Sequence, residues 1–345
     1  MGAQMIPRIR QGIHAGREYV YGREGRMSQE LLRYVQSTYR GTQQFWEQPH
    51  WGVVLARHDT PAISATDTDS LNRDMSKLRA LIDLLDGQTS ETIDDFIVEN
   101  PTYSEILKAC IAVEIAKSTY TYNSSPREIV PNKLASRFLA DKEGRPRRNW
   151  IHLLINLVRQ AIRTGQLKDG QKIRIVSFNY DGILEAVLAD QFQNTERPYP
   201  PYTEFFEIIH PHGLCGDLNQ SPIKSPTQLF EWAQNICVVN ERNIQNETVK
   251  KARATANEWI KNASQVYAVG FAFAAPNCDL IGMRKPPPGG GRHLHYCNFD
   301  GNEGVRLSAE KCKLFKHQHP TNGTYNRPVS VEDWLYAGFL GEFSA

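Results

Sequence analysis

The chain has 345 residues, enough for one large domain or two ordinary ones, and its 40% apolar content is ample for a core. Lys and Arg total 40 against 38 Asp and Glu, a formal charge of +2, which excludes a global field drawing the chain to nucleic acid. Direct nucleic-acid contact would need a local patch; the nearest groups are Arg145, Arg147 and Arg148 and the early Arg8, Arg10, Arg17, Arg23 and Arg26, and both read as solvated loops.

Six cysteines (Cys110, Cys215, Cys237, Cys278, Cys297, Cys312) form no CxxC pair, which argues against a zinc ribbon and against a disulfide framework. Reduced thiols in a cytoplasmic protein are expected. The sequence shows no secretory h-region and no run near the ~18 apolar residues of a membrane span, so no membrane partner is expected.

In chain order, Ser28 precedes Leu31, Leu32 and Val35 at helical spacing, with Gly41 as a stop, and Gly52 to Ala56 is a weak strand candidate. Met75, Leu78, Leu81, Ile82 and Leu85 keep a 3.6-residue period from Leu71 to Gly87. Thr89 and Ser90 can cap the next helix, whose inner face is Ile93, Phe96 and Ile97 and whose Glu91, Asp94 and Asp95 complement the dipole. Pro101 ends it. A helix through Ile106 to Ile115 follows, then a polar loop from Thr121 to Arg127, then the stripe Trp150, Leu153, Leu154, Leu157, Val158 and Ile162, closed by Gly165. After Gly170 short apolar strands alternate with helices: Ile173 to Ser177, Phe205 to Ile209, Ile236 to Val239, Val266 to Gly270 and His293 to Cys297, with a crossover helix over Gln245 to Asn262. This alternation predicts an α/β fold with a doubly wound parallel sheet, residues 66–165 forming a helical insertion that caps a single domain spanning 1–345. Pro286 to Gly291 reads as a loop tip.

Three strand exits carry candidate chemistry, and the strands ending at Ser177, Ile209 and Gly270 are expected to be neighbours in one parallel sheet. IRIVSFNYDGILE (Ile173 to Glu185) delivers Asn179, Tyr180 and Asp181, which can grip a sugar hydroxyl, stack on a flat group and assist proton movement. The competing reading makes Asp181 a helix cap and Asn179 a turn residue. Ile208 and Ile209 lead into His210, Pro211, His212 and Gly213. Histidines at i and i+2 could ligate a metal, but no third ligand has recognisable spacing, so no metal is expected. His212 reads as a general base or ribose-hydroxyl partner, or else as a histidine satisfied in the core. Gly213 lets the backbone pass close to a ligand. YAVGFAF (Tyr267 to Phe273) puts Gly270 and Phe271 at a third exit, where a nucleotide could lie against the backbone or the glycine could serve a tight turn.

The order of these pieces resembles the sirtuin-like family, in particular its bacterial branch of defence-associated NAD-consuming proteins. The resemblance rests on VSFNYDGILE (Val176 to Glu185), IIHPHG (Ile208 to Gly213) and VYAVGFAFAAPNCDL (Val266 to Leu280), and more loosely on ETIDDFI (Glu91 to Ile97) and HYCNFDGNEG (His295 to Gly304). It implies a Rossmann-like domain with a helical insertion, NAD as substrate and hydrolysis releasing nicotinamide in anti-phage defence. Catalysis falls to Asn179, His212 and Asp181, and NAD binding to Gly2, Ala3, Tyr180, Gly213, Gly270 and Phe271. A homo-oligomer or a defence-system partner protein is implied as well. Two departures stand out: without CxxC pairs peptide deacetylation is disfavoured, and the family's first strand and Gly-Ala-Gly-x-Ser loop are missing. Gly2-Ala3 and Ile6-Pro7 look like what remains of that loop, which holds phosphates at a helix N-terminus. The alternative is a non-catalytic nucleotide-binding or assembly subunit with a degenerate pocket. On the active reading, alanine at Asn179 or His212 is expected to spare the fold, with serine at Cys215 or Cys278 as the neutral control.

Overall fold

A computed structural model describes residues 9, 80–81, 83–87, 93–124, 127–131, 150–167, 170–193, 199–216, 227–239, 241, 244–285, 292–297, 303–315 and 317–320. The readings placed on 28–41, 52–56, 71–78 and 286–291, on Gly2 and Ala3, and on the two arginine groups lie outside these residues.

The elements are α1 (Ile93–Glu99), α2 (Ser104–Thr119), β1 (Tyr120–Ser124), β2 (Arg127–Pro131), α3 (Trp150–Arg163), β3 (Ile173–Val176), α4 (Ile183–Gln193), β4 (Phe206–Ile209), α5 (Thr227–Gln234), α6 (Glu247–Asn262), β5 (Gln265–Ala268), α7 (Ala275–Leu280), β6 (His293–Tyr296), α8 (Glu303–Glu310) and β7 (His317–Pro320). This is a mixed α/β chain with small parallel sheets. β3 pairs with β4 in parallel, Ile173 opposite Phe206 and Val176 opposite Ile209. β5, β6 and β7 form a second parallel sheet, with β6 in the middle. A helix lies between β3 and β4, between β5 and β6, and between β6 and β7, as parallel connections require.

Several sequence expectations change. Thr121 to Ser124 is strand and not loop: β1 and β2 are antiparallel with Ser124 opposite Arg127, so polar Asn123 and Ser124 lie in the ladder. Ile236 to Val239 is not a strand; Cys237 N–H donates to the His212 carbonyl at 2.8 Å, and no ladder grows from that rung. Among the described residues β5 shares no ladder with β3 or β4, so the three strands expected in one sheet fall into two. Gly165 does end α3, at φ +68°. Its N–H reaches Ile162 O and that of Gln166 reaches Ala161 O, the paired bonds of a Schellman cap.

Contacts divide the chain into two compact units. The first is drawn from Met1–Asn132, Tyr180–Gly182 and His212–Asn243. Its centre is α2, on which Leu107, Ala109, Cys110, Ile111, Ala112, Ile115 and Ala116 are buried; a helix apolar nearly all round belongs inside a core. Lys108 stretches its stem from that helix to Glu241, 2.8 Å away. The second unit is drawn from Lys133–Asn179, Ile183–Pro211 and Ile244–Ala345 and holds β3 to β7. Its core joins Ala256 and Ile260 of α6, Leu294 and Tyr296 of β6, and Phe273, Cys278, Met283, Cys312 and Phe315, with Val176, Phe178 and Ile209 packed against them. α6 starts at Asn246, whose side chain accepts from Val249 N–H at 3.2 Å.

Candidate functional site

The candidate residues fall in both units, since the chain passes from the second to the first after Asn179 and again after Pro211. In the second unit, β3 and β4 end side by side. The last ladder bond runs from Ser177 N–H to Ile209 O at 2.9 Å, so Phe178 and Asn179 have left the sheet. Asn179 is exposed, as expected of a side chain offered to a ligand. Its carbonyl accepts from His210 Nδ1 at 2.8 Å, while His210 Nε2 lies 2.5 Å from Glu185 Oε1. With both ring nitrogens engaged, His210 has no lone pair to offer a metal. Phe178 stacks on Phe271 at 5.1 Å between centroids, so the exits of β3 and β5 meet through rings although their strands belong to different sheets. Gly270 is exposed at φ +61°, and a Cβ there would meet nothing within 4 Å. Phe273, three residues on, takes φ 56° without being glycine, held edge-on against Phe271 and Tyr296.

The first unit gathers the other candidates. Tyr180 donates its hydroxyl to Asp94 Oδ1 at 2.6 Å, and its ring lies 5.9 Å from that of His212. Its carbonyl accepts from Cys215 N–H at 2.6 Å. His212 is 2% exposed, and its Nδ1 is 3.1 Å from Cys237 O. A carbonyl only accepts, so Nδ1 carries the proton and the lone pair of the neutral ring sits on Nε2. Gly213 follows at φ +81°, a left-handed turn that favours glycine. Burial pushes the Asp94 carboxyl above the usual carboxylate range, opposed by the Tyr180 hydrogen bond and, in its protonated form, by His212, and reinforced by Asp95. Asp181 is buried, and its charge adds to the burial that pushes the Cys215 thiol up.

The burial of His212 corrects one expectation: unlike Asn179, it does not face outward, and truncating it strips a partner from the Cys237 carbonyl. Cys215 and Cys278 are buried too, so serine there would disturb packing and neither is a neutral control. Asp94, Glu185 and His210 acquire partners the sequence reading did not assign. The signals available were Asp94 within ETIDDFI and Glu185 within IRIVSFNYDGILE, each read only for its helix.

Among the described residues no group of three or more His, Cys, Asp or Glu side chains could hold a metal ion, and no helix is long and apolar enough to cross a membrane. No family model, no curated protein and no solved structure matches the chain.

Proposed function

We propose that the chain is a sirtuin-like, Rossmann-like NAD hydrolase that releases nicotinamide as an effector of anti-phage defence. The observation that carries this reading is the placement of His212: buried, with Nδ1 3.1 Å from the Cys237 carbonyl, so that in its neutral form the ring carries its lone pair on Nε2. Breaking the bond between nicotinamide and ribose leaves the bonding pair on the departing nicotinamide and positive charge on the ribose. The Asp181 carboxylate and Asn179 carboxamide suit that charge. Water adds to the ribose carbon, and its proton passes to His212 Nε2. Tyr180, Gly213, Gly270 and Phe271 are assigned to binding NAD.

The test is nicotinamide release from NAD by the full chain. His212→Asn keeps a donor toward the Cys237 carbonyl and removes the Nε2 lone pair; a loss of ~10²–10⁴ in rate is expected. Asn179→Ala should lower the rate without changing stability, and Lys250→Ala, on an exposed side chain, should match the parent. Equal rates in all four proteins would remove these residues from the chemistry. A parent that releases no nicotinamide would favour the non-catalytic, nucleotide-binding or assembly subunit.

A further inference from the structure

The exit of β3 is held by something other than its ladder. Beyond Ser177 the main chain of β3 makes no further rung with β4, yet Asn179 stands two residues on. The side chain of His210, the first residue past β4, takes the place of that rung by donating Nδ1–H to the Asn179 carbonyl at 2.8 Å. Glu185, in the first turn of α4, faces the opposite nitrogen at 2.5 Å. The histidine and glutamate side chains are 7% and 15% exposed, so water competes little for either contact. Among the described residues Glu185 Oε2 is buried with no hydrogen-bond partner, and His210 is the one hydrogen-bonded anchor of the carboxylate.

We propose that Glu185 and His210 act as a positioning pair that fixes the peptide plane after Asn179, and so aims an exposed carboxamide from a rigid backbone. The pair needs no ligand to exist; its catalytic meaning rests on the NAD-hydrolase reading of Asn179. A carbonyl and a carboxylate both only accept, so His210 donates from both nitrogens when Glu185 is ionised. That state is a local spectroscopic marker. A glutamine at 185 can still reach Nε2 with its amide and keep Nδ1–H on the carbonyl, whereas an alanine leaves the ring unanchored.

The experiment uses the full chain labelled with ¹⁵N at histidine, as parent, Glu185→Gln and Glu185→Ala. In the parent, His210 should show two protonated nitrogens and a slowly exchanging Nδ1–H. Glu185→Gln should convert Nε2 to an acceptor while Nδ1–H stays protected, and Glu185→Ala should make that proton exchange rapidly. In nicotinamide release, Glu185→Ala should lower kcat about tenfold to a hundredfold with KM little changed, since misplacement of a reacting group costs on that order, and Glu185→Gln should recover most of it. Unchanged His210 signals in both variants would overturn the pair itself. Altered signals with an unaltered kcat would overturn its role in positioning. If the parent releases no nicotinamide, the hydrolase reading fails on its own, and the histidine spectra still decide whether the pair exists.

Discussion

Replacing Tyr180 by Phe removes one oxygen and should produce a stability loss whose size depends on pH. In the unfolded chain the Asp94 carboxyl titrates at its ordinary value of 3.8, and in the folded chain burial holds its proton to higher pH. Between those two values the folded state binds more protons, so stability falls as pH rises through the window and levels off above it. The Tyr180 hydroxyl, 2.6 Å from Asp94 Oδ1, opposes that loss by favouring the carboxylate. A hydrogen bond to a charged group contributes ~1.5–3 kcal/mol; Asp94 keeps partial contact with solvent, which lowers the expected cost of Tyr180→Phe to about 1–2 kcal/mol above the window. Below the window, where Asp94 is protonated in both states, only a neutral hydrogen bond is lost, and the gap should narrow to about 0.5–1 kcal/mol. Urea unfolding of parent and variant, followed by circular dichroism across a pH series, reads the difference directly. In an Asp94→Asn background the pH dependence of the gap should vanish. A gap that is flat in pH, or that widens on acidification, would refute the argument.

Gly216 is expected to resist any side chain: at φ +73° it is left-handed, and a Cβ would land 2.7 Å from the Trp232 ring, so Gly216→Ala should cost about 2–4 kcal/mol in unfolding free energy. Asn246→Ala removes the cap of α6 and should cost about 1 kcal/mol, with Asn246→Ser recovering most of it. All six cysteines are buried, and burial further raises the Cys110 and Cys215 thiols, so a thiol reagent should label the native chain far more slowly than the unfolded one, which should take up six equivalents. Rapid labelling of the native chain would contradict the packing of these residues.

Local elements were legible wherever a single period governs them. The β-branched run at Ile173 to Val176, the strand before His210, the stop at Gly165 and the long polar helix ending at Asn262 all emerge from spacing, because strand and helix geometry act over four residues or fewer. Exposure of Asn179 followed from its place past a strand's end. Spacing carried no information on which strands share a ladder, since short parallel strands with similar Val and Ile content pair equally well in the abstract. β5 therefore looked like a neighbour of β3, although it pairs with β6. The same limit holds for the site chemistry. Asp94 read as an ordinary first-turn acid, yet its partner hydroxyl lies 86 residues away, and Glu185 meets His210 across 25 residues. Contacts at such separations depend on how the connecting chain closes and what else it buries. The sequence by itself determined which side chains stand at the strand exits; only the tertiary structure decided that His212 is enclosed and that half-buried carboxylates hold Tyr180 and His210, because burial and pairing belong to the packed chain and not to any one segment of it.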